Sequence, residues 1–251
     1  MQLSFISLYI IIFLFGIVIG SFLNVCIFRL PLYENIATTG SHCMRCGHRL
    51  AWYDLVPLFS WLQLGGKCRY CKAKISVQYP LVEVMNGIGY ILIFMVHGIS
   101  ADSIWLCLFF SALIVVSVID WRTYEIPIGV NATILVLGII RTAMDYPHIA
   151  EHLIGLICVS LFLLLLNLLT NGRTMGGGDV KLMAAAGLLL GWKQIVLAFW
   201  LGCIIGSAIH LCLMKFAGRG RKLPFGPYLS AGMIIAMLWG DVLVQWYLGV
   251  V

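Results

Sequence analysis

Residues 150–170 read AEHLIGLICVSLFLLLLNLLT, a run of 21 with one acidic residue, Glu151, and no Lys or Arg. About 20 apolar residues cross the hydrocarbon core of a bilayer as a helix, and this run decides the fold class because it is not alone. Seven further apolar stretches lie at 5–28, 81–97, 103–120, 126–143, 177–191, 194–214 and 227–248. Of the 251 residues 62% are hydrophobic and 10% charged, with a mean hydropathy of +1.02. Soluble domains carry about 45–50% apolar and about 25% charged residues. The composition therefore excludes an ordinary globular protein, and its apolar content excludes disorder. An all-α polytopic membrane protein with about eight transmembrane helices is expected. The stretch at 177–191 is short and Gly-rich, which suits a tilted, neighbour-buried or half-spanning helix.

The first stretch does not read as a secretory signal. The first basic residue, Arg29, follows its apolar core instead of preceding it, the reverse of a signal peptide's charge order. A retained span with the N-terminus outside is expected. Alternating the loops from there leaves only Arg141 and Lys193 of the 16 Lys and Arg on the outer side, so 14 fall inside, as the positive-inside rule requires. The formal charge of +6 is then read as cytoplasmic loops facing anionic lipid; a nucleic-acid partner is not expected.

Between the first two spans lies the one candidate soluble unit, residues 30–79, placed in the cytoplasm by the same charges. Four of the nine cysteines fall in it as Cys43-x-x-Cys46 and Cys68-x-x-Cys71, 21 residues apart. Two such knuckles present four thiolates for a tetrahedral metal, zinc above all. The competing reading, two disulfides, is disfavoured in a reducing compartment. Some staple is expected, because 50 residues cannot bury a sufficient core alone. With four sulfurs the coordination shell is closed, which makes the zinc structural. The other five cysteines lie in or at the ends of apolar spans and read as small hydrophobes.

Two acids stand out. Asp120 closes the apolar run Leu113–Ile119, and Asp179 follows Gly176-Gly177-Gly178; both are placed at the cytoplasmic edge of their spans. An ionisable group at a span is a functional candidate by default. Two carboxylates at one depth suggest a dyad in which one acts as base toward water and the other, protonated, polarises a scissile carbonyl. The glycines would let an extended substrate approach the backbone, and Lys181 could orient Asp179, meet substrate or simply snorkel. Helix caps and interfacial anchors are the alternative reading for both acids, as they are for Asp102, Asp145 and Asp241. Glu125, in the loop after Asp120, rivals either for one carboxylate role.

In order along the chain stand Gly20-Ser21-Phe22-Leu23-Asn24-Val25 running on to Arg29-Leu30-Pro31, the cysteine tetrad, and Tyr79-Pro80-Leu81-Val82-Glu83. Asp120 with Ile126-Pro127, Gly176-x-Gly178-Asp179 and Pro224-Phe225-Gly226-Pro227 follow. The ordered set, covering about residues 20 to 230, resembles the bacterial type IV prepilin peptidases. The resemblance implies a bifunctional inner-membrane enzyme. As a GxGD-type aspartic endopeptidase it would remove the basic leader of type IV prepilins or pseudopilins after a glycine. It would then N-methylate the new N-terminus with S-adenosylmethionine. Carried onto this sequence, the catalytic pair is Asp120 and Asp179, with Gly176 and Gly178 as the backbone motif. The zinc ligands are Cys43, Cys46, Cys68 and Cys71, in the version of the family associated with methyl transfer. Asn24, Arg29 and Glu83 are candidates for the cofactor region, although each could equally be structural. No GxGxxG after a strand is present. Ile128 follows Ile-Pro where many members have Asp or Asn. The expected organisation is a first span at 1–29, the four-cysteine zinc insert at 30–79 and a seven-helix peptidase domain at 80–251. A peptidase without methyl transfer, and a zinc-containing membrane scaffold, remain the alternatives.

Overall fold

The computed structural model describes residues 2–170, 176–217 and 223–249. Arg173, Arg219, Arg221 and Lys222, counted above among the inner-side cations, lie outside them. Helices α1 (Gln2–Arg29), α2 (Phe59–Gln63), α3 (Gln78–His97), α4 (Ala101–Thr123), α5 (Ile128–Met144), α6 (Ile149–Leu169), α7 (Gly177–Leu190), α8 (Trp192–Ala217) and α9 (Gly226–Leu248) carry the described chain. Among the described residues pairing is limited to two isolated bridges, His42 with Arg49 and Lys67 with Lys74, and there is no sheet. Each of the eight apolar stretches falls on one of the eight long helices.

Six segments are long and apolar enough to cross a membrane: Ile6–Leu32, Gln78–His97, Ala101–Thr123, Tyr146–Leu169, Trp192–Lys215 and Gly226–Tyr247. The protein is a multi-pass membrane protein. Helices α5 and α7 have 17 and 14 residues; at 1.5 Å per residue they reach only about 26 and about 21 Å, short of a core of about 30 Å.

The chain forms two compact units, Met1–Gly98 and Ile99–Val251. In the first, α1 packs on α3 along glycines. A Cβ on Gly20 would stand 2.7 Å from the Glu83 Cα, and one on Gly16 2.7 Å from the Gly87 Cα. The Asn86 side chain donates to the Gly16 carbonyl at 2.8 Å. The residues between α1 and α3 form a loop-rich insert.

In the second unit α7 is the buried helix, with Leu182, Met183, Ala186 and Leu189 fully enclosed. Gly155 of α6 and Gly187 of α7 meet backbone to backbone: a Cβ on Gly187 would run into the Gly155 carbonyl oxygen. Small residues permit this close approach where lipid offers no hydrophobic drive between helices. A helix that stops inside a packed unit must satisfy its last carbonyls. Arg141 and Thr142 donate to Leu189 and Leu188 at 2.6 and 3.2 Å, and His152 Nδ1 lies 2.8 Å from the Leu188 carbonyl. Arg141, counted among the outer-side cations, thus caps the helix whose first turn carries Asp179.

Candidate functional site

Asp120 occupies the last turn of α4 and is 5% exposed; Asp179 occupies the first turn of α7 and is 9% exposed. Burial of both would be costly without partners, and each carboxylate receives a glycine backbone. The Gly226 N–H donates to Asp120 Oδ2 at 2.8 Å, and the Gly176 backbone hydrogen-bonds the Asp179 carboxylate. The two acids interact electrostatically with one another. Helix α4 ends just beyond Asp120 because Tyr124 turns to φ 58° and returns its N–H to the Asp120 carbonyl at 2.9 Å. Pro127 then opens α5, and Ile126 packs on Gly178, where an added Cβ would meet its Cβ at 3.2 Å.

Gly176 caps α7 by accepting the Asp179 N–H at 3.2 Å. Lys181 is exposed, and two residues along a helix it does not share a face with Asp179. Glu125 is likewise exposed. Two residues given no role above belong to this site. Gly226, quoted only as part of a motif, offers the N–H to Asp120, and a Cβ there would lie 2.8 Å from Asp120 Oδ2. Asn131 of α5, 6% exposed, donates from Nδ2 to the Gly178 carbonyl at 3.3 Å, while its Oδ1 is buried without a partner. An Asn four residues past Ile-Pro carries no signal of its own in the sequence.

In the first unit the two knuckles fold alike. Cys43 N–H donates to the His48 carbonyl and Cys68 N–H to the Ala73 carbonyl, at 2.9 and 2.8 Å. The residue after each second cysteine is left-handed, Gly47 at φ 69° and Lys72 at φ 56°. The four Sγ atoms all lie within 4.8 Å of one another, with Cys43 and Cys71 at 3.8 Å, and all four thiols are free. Zinc–sulfur bonds of about 2.3 Å at tetrahedral angles separate sulfurs by about 3.8 Å, so this donor set fits a metal. Backbone hydrogen bonds at Cys46 and Arg45 hold the Cys43 thiol down at about 6, which favours the thiolate a metal needs.

Beside the knuckles opens a cavity of about 1050 Å³, lined among others by Ser21, Asn24, Asp54, Leu58 and Glu83. The candidates assigned to the cofactor region differ in how they are engaged. Arg29 spends its guanidinium on the carbonyls of Asn35, Ile36 and Gly40 at 3.1–3.3 Å, tying the chain that leaves α1. Asn24 donates to the Tyr79 carbonyl at 3.1 Å, and its Oδ1 is buried without a partner. Glu83, 5% exposed, accepts the Leu58 N–H at 2.8 Å and hydrogen-bonds the Ser21 side chain.

The bacterial peptidase A24 N-terminal domain model matches residues 14–97, and the type IV leader peptidase family model matches 107–211. A protein of Aeromonas salmonicida (strain A449) named prepilin leader peptidase/N-methyltransferase is 32% identical over 273 residues, covering 96% of this chain and 94% of its own. Proteins with the same name from Bacillus subtilis (strain 168) and Pseudomonas aeruginosa are 34% and 32% identical. They cover 95% and 94% of this chain, and 97% and 91% of their own. No solved structure matches the chain.

Proposed function

Because the chain belongs to the type IV leader peptidase family, we propose that it removes the leader of type IV prepilins or pseudopilins and N-methylates the new terminus. The single observation that carries the peptidase half is the pair of buried acids, each held by a glycine backbone and each within the other's field. Two carboxylates that repel at close quarters share one proton. Asp120, with the Gly226 N–H on Oδ2, takes a proton from water as that water attacks the scissile carbonyl carbon. Asp179 gives its proton to the carbonyl oxygen. Collapse of the tetrahedral species expels the amine, which leaves with a proton from the dyad. Gly176 and Gly178 keep side chains away from the substrate strand.

The tetrad holds zinc as a structural ion that fixes the two knuckles around the first unit's cavity. That volume, against about 300–1,000 Å³ for typical small-molecule sites, is roomy enough for a nucleoside-sized methyl donor together with a peptide end. S-Adenosylmethionine supplies a methyl carbon on a positively charged sulfur. The donor binds at that cavity on the side of Asn24, with Glu83 on the same lining and Arg29 shaping the wall. The charge distribution of the loops supports the bacterial inner membrane, with the N-terminus outside, lipid around the spans, and insert and dyad on the cytoplasmic side.

The test is incubation of the purified enzyme with a prepilin and isotope-labelled methyl donor, followed by mass spectrometry of the product. Cleavage after a glycine together with a mass gain of one methyl group is expected. Uncleaved prepilin would end the peptidase reading, and cleaved but unmethylated product would end the methyltransferase half alone.

A further inference from the structure

Glu83 is unlike the other charged groups at the first unit's cavity. Asp54 is paired with Arg69 at 2.7 Å, Arg29 is spent on carbonyls, and Glu34, Arg45, Lys72 and Lys74 are exposed rim residues. Glu83 is buried, and among the described residues no ion pair engages it. A carboxylate taken out of water with hydrogen bonds but no cation is incomplete, because its charge costs several kcal/mol to bury uncompensated.

The neighbouring backbone is distorted to serve it. Leu58 stands at φ 60°, ψ −52°, in a turn closed by Phe59 N–H to the Pro57 carbonyl at 2.6 Å. That is the rare, strained γ-turn, and it aims the Leu58 N–H at Glu83 Oε2. Strain of this kind persists where the surroundings enforce it and clusters at functional positions. One turn away, Asn24 reaches across to the Tyr79 carbonyl while Gly20 abuts Glu83. The lining thus offers the Glu83 carboxylate as an acceptor and lacks a cation with several N–H donors. A primary ammonium has that chemistry.

We propose that Glu83 receives the α-ammonium of the peptide freed by leader removal and takes one proton from it. The deprotonated nitrogen then forms the N–C bond with its lone pair. The carbon–sulfur bond of the donor breaks with its electron pair left on sulfur, the product is a methylated ammonium, and the proton on Glu83 passes to solvent. This rests on the methyltransferase reading and adds the amine site to it. The methyl donor also carries an α-ammonium, so the same chemistry has two sources, and the experiment separates them.

Glu83→Gln keeps an acceptor for Leu58 and removes the base. With a synthetic peptide bearing the mature N-terminus, methylation at pH 7 should fall about tenfold, then climb about fivefold between pH 7 and the amine's own ionisation near pH 8. Prepilin cleavage, metal content and binding of labelled S-adenosylhomocysteine should match the wild type, and Glu83→Asp should recover part of the rate. On the unmodified enzyme, a peptide capped with 3-phenylpropionyl, which lacks the amine, should compete at least tenfold more weakly than the amine peptide. A methylation rate indifferent to Glu83→Gln, a loss of S-adenosylhomocysteine binding matching the loss of rate, or equal competition by the capped peptide would each overturn the assignment. A wild-type enzyme that cleaves but never methylates would instead remove the reading on which it rests.

Discussion

The two units build their sites by opposite means. In Ile99–Val251 two helix ends bring Asp120 and Asp179 within each other's field, glycine backbones hold the carboxylates, and α5, α6 and the rest of α7 are packed behind them. In Met1–Gly98 the cavity is walled largely by the insert, whose one α-helix, Phe59–Gln63, is five residues long. The four-sulfur cluster, the Asp54–Arg69 pair and the strained turn at Leu58 hold it. Hydrolysis asks for two acids fixed to within fractions of an ångström, which rigid helix ends supply. Transfer of a group between two bound molecules asks for room, which loops pinned at a four-cysteine cluster supply. The contrast predicts that the two chemistries can be broken separately.

The largest effect falls on the dyad. Asp120→Asn or Asp179→Asn should lower prepilin cleavage by at least about 10³-fold, since a shared proton needs both carboxyls. Methylation of a peptide already lacking its leader should stay within about twofold. If both activities collapse together while the protein remains inserted, the separation fails.

Breaking the metal centre runs the other way. Cys68→Ser, at the buried member of the tetrad, should release the proposed metal, expose residues 30–79 to protease and cut methylation by about 100-fold, because a structural site of this kind contributes folding energy outright. Cleavage should fall only a few-fold. The thiols give a sign for pH. Cys43 sits at about 6, so protons compete with the metal there only below that; Cys46, although a backbone hydrogen bond at His48 pulls it down, is pushed up to about 11 by burial and the neighbouring thiols. Metal binding at pH 7.5 should therefore release protons, and apparent affinity should rise with pH through neutrality, as titration of the metal-free protein in weakly and strongly absorbing buffers will show.

Gly226→Ala is next. The new methyl group would stand 2.8 Å from Asp120 Oδ2 and displace the N–H that carboxylate accepts, so a loss of cleavage of roughly 10- to 100-fold is expected. Methylation of the leaderless peptide should not change.

What could be read in advance follows the same division. Spans announce themselves because lipid demands long apolar runs: six of the eight stretches lie on helices long enough to cross, while α5 and α7 are shorter than the expected spans. The acids stand out because a charge at the end of such a run is conspicuous, and the tetrad because two Cys-x-x-Cys pairs make a pattern. Gly226 was hidden for a physical reason: it acts through a backbone N–H, which every residue but proline has, and through the absence of a Cβ at a contact made across 106 residues of chain. Arg29 illustrates the converse, since a charge at a span end read as a binding group is engaged with three carbonyls of the following loop. The γ-turn at Leu58 follows Pro57 but puts a β-disfavoured, left-handed backbone on a leucine, which no propensity would suggest.

Asn131 offers the finest test of how rigidly the helix ends must be held. It contacts neither acid by any hydrogen bond among the described residues, yet it ties α5 to the Gly178 carbonyl, one residue before Asp179. A hydrogen bond of this kind is worth about 0.5–1.5 kcal/mol net, so Asn131→Ala should slow cleavage by about threefold to tenfold. The change should appear in kcat, because the residue places Asp179 and does not bind substrate. Asn131→Asp removes the donor while retaining the shape and brings a third charge toward the pair, so it should be slower than alanine at neutral pH. The difference should narrow as acidification neutralises the added carboxylate. Equal rates for alanine and aspartate across that range would mean that Gly178 is held by packing against Ile126 alone, and that the amide contributes nothing to the geometry of the dyad.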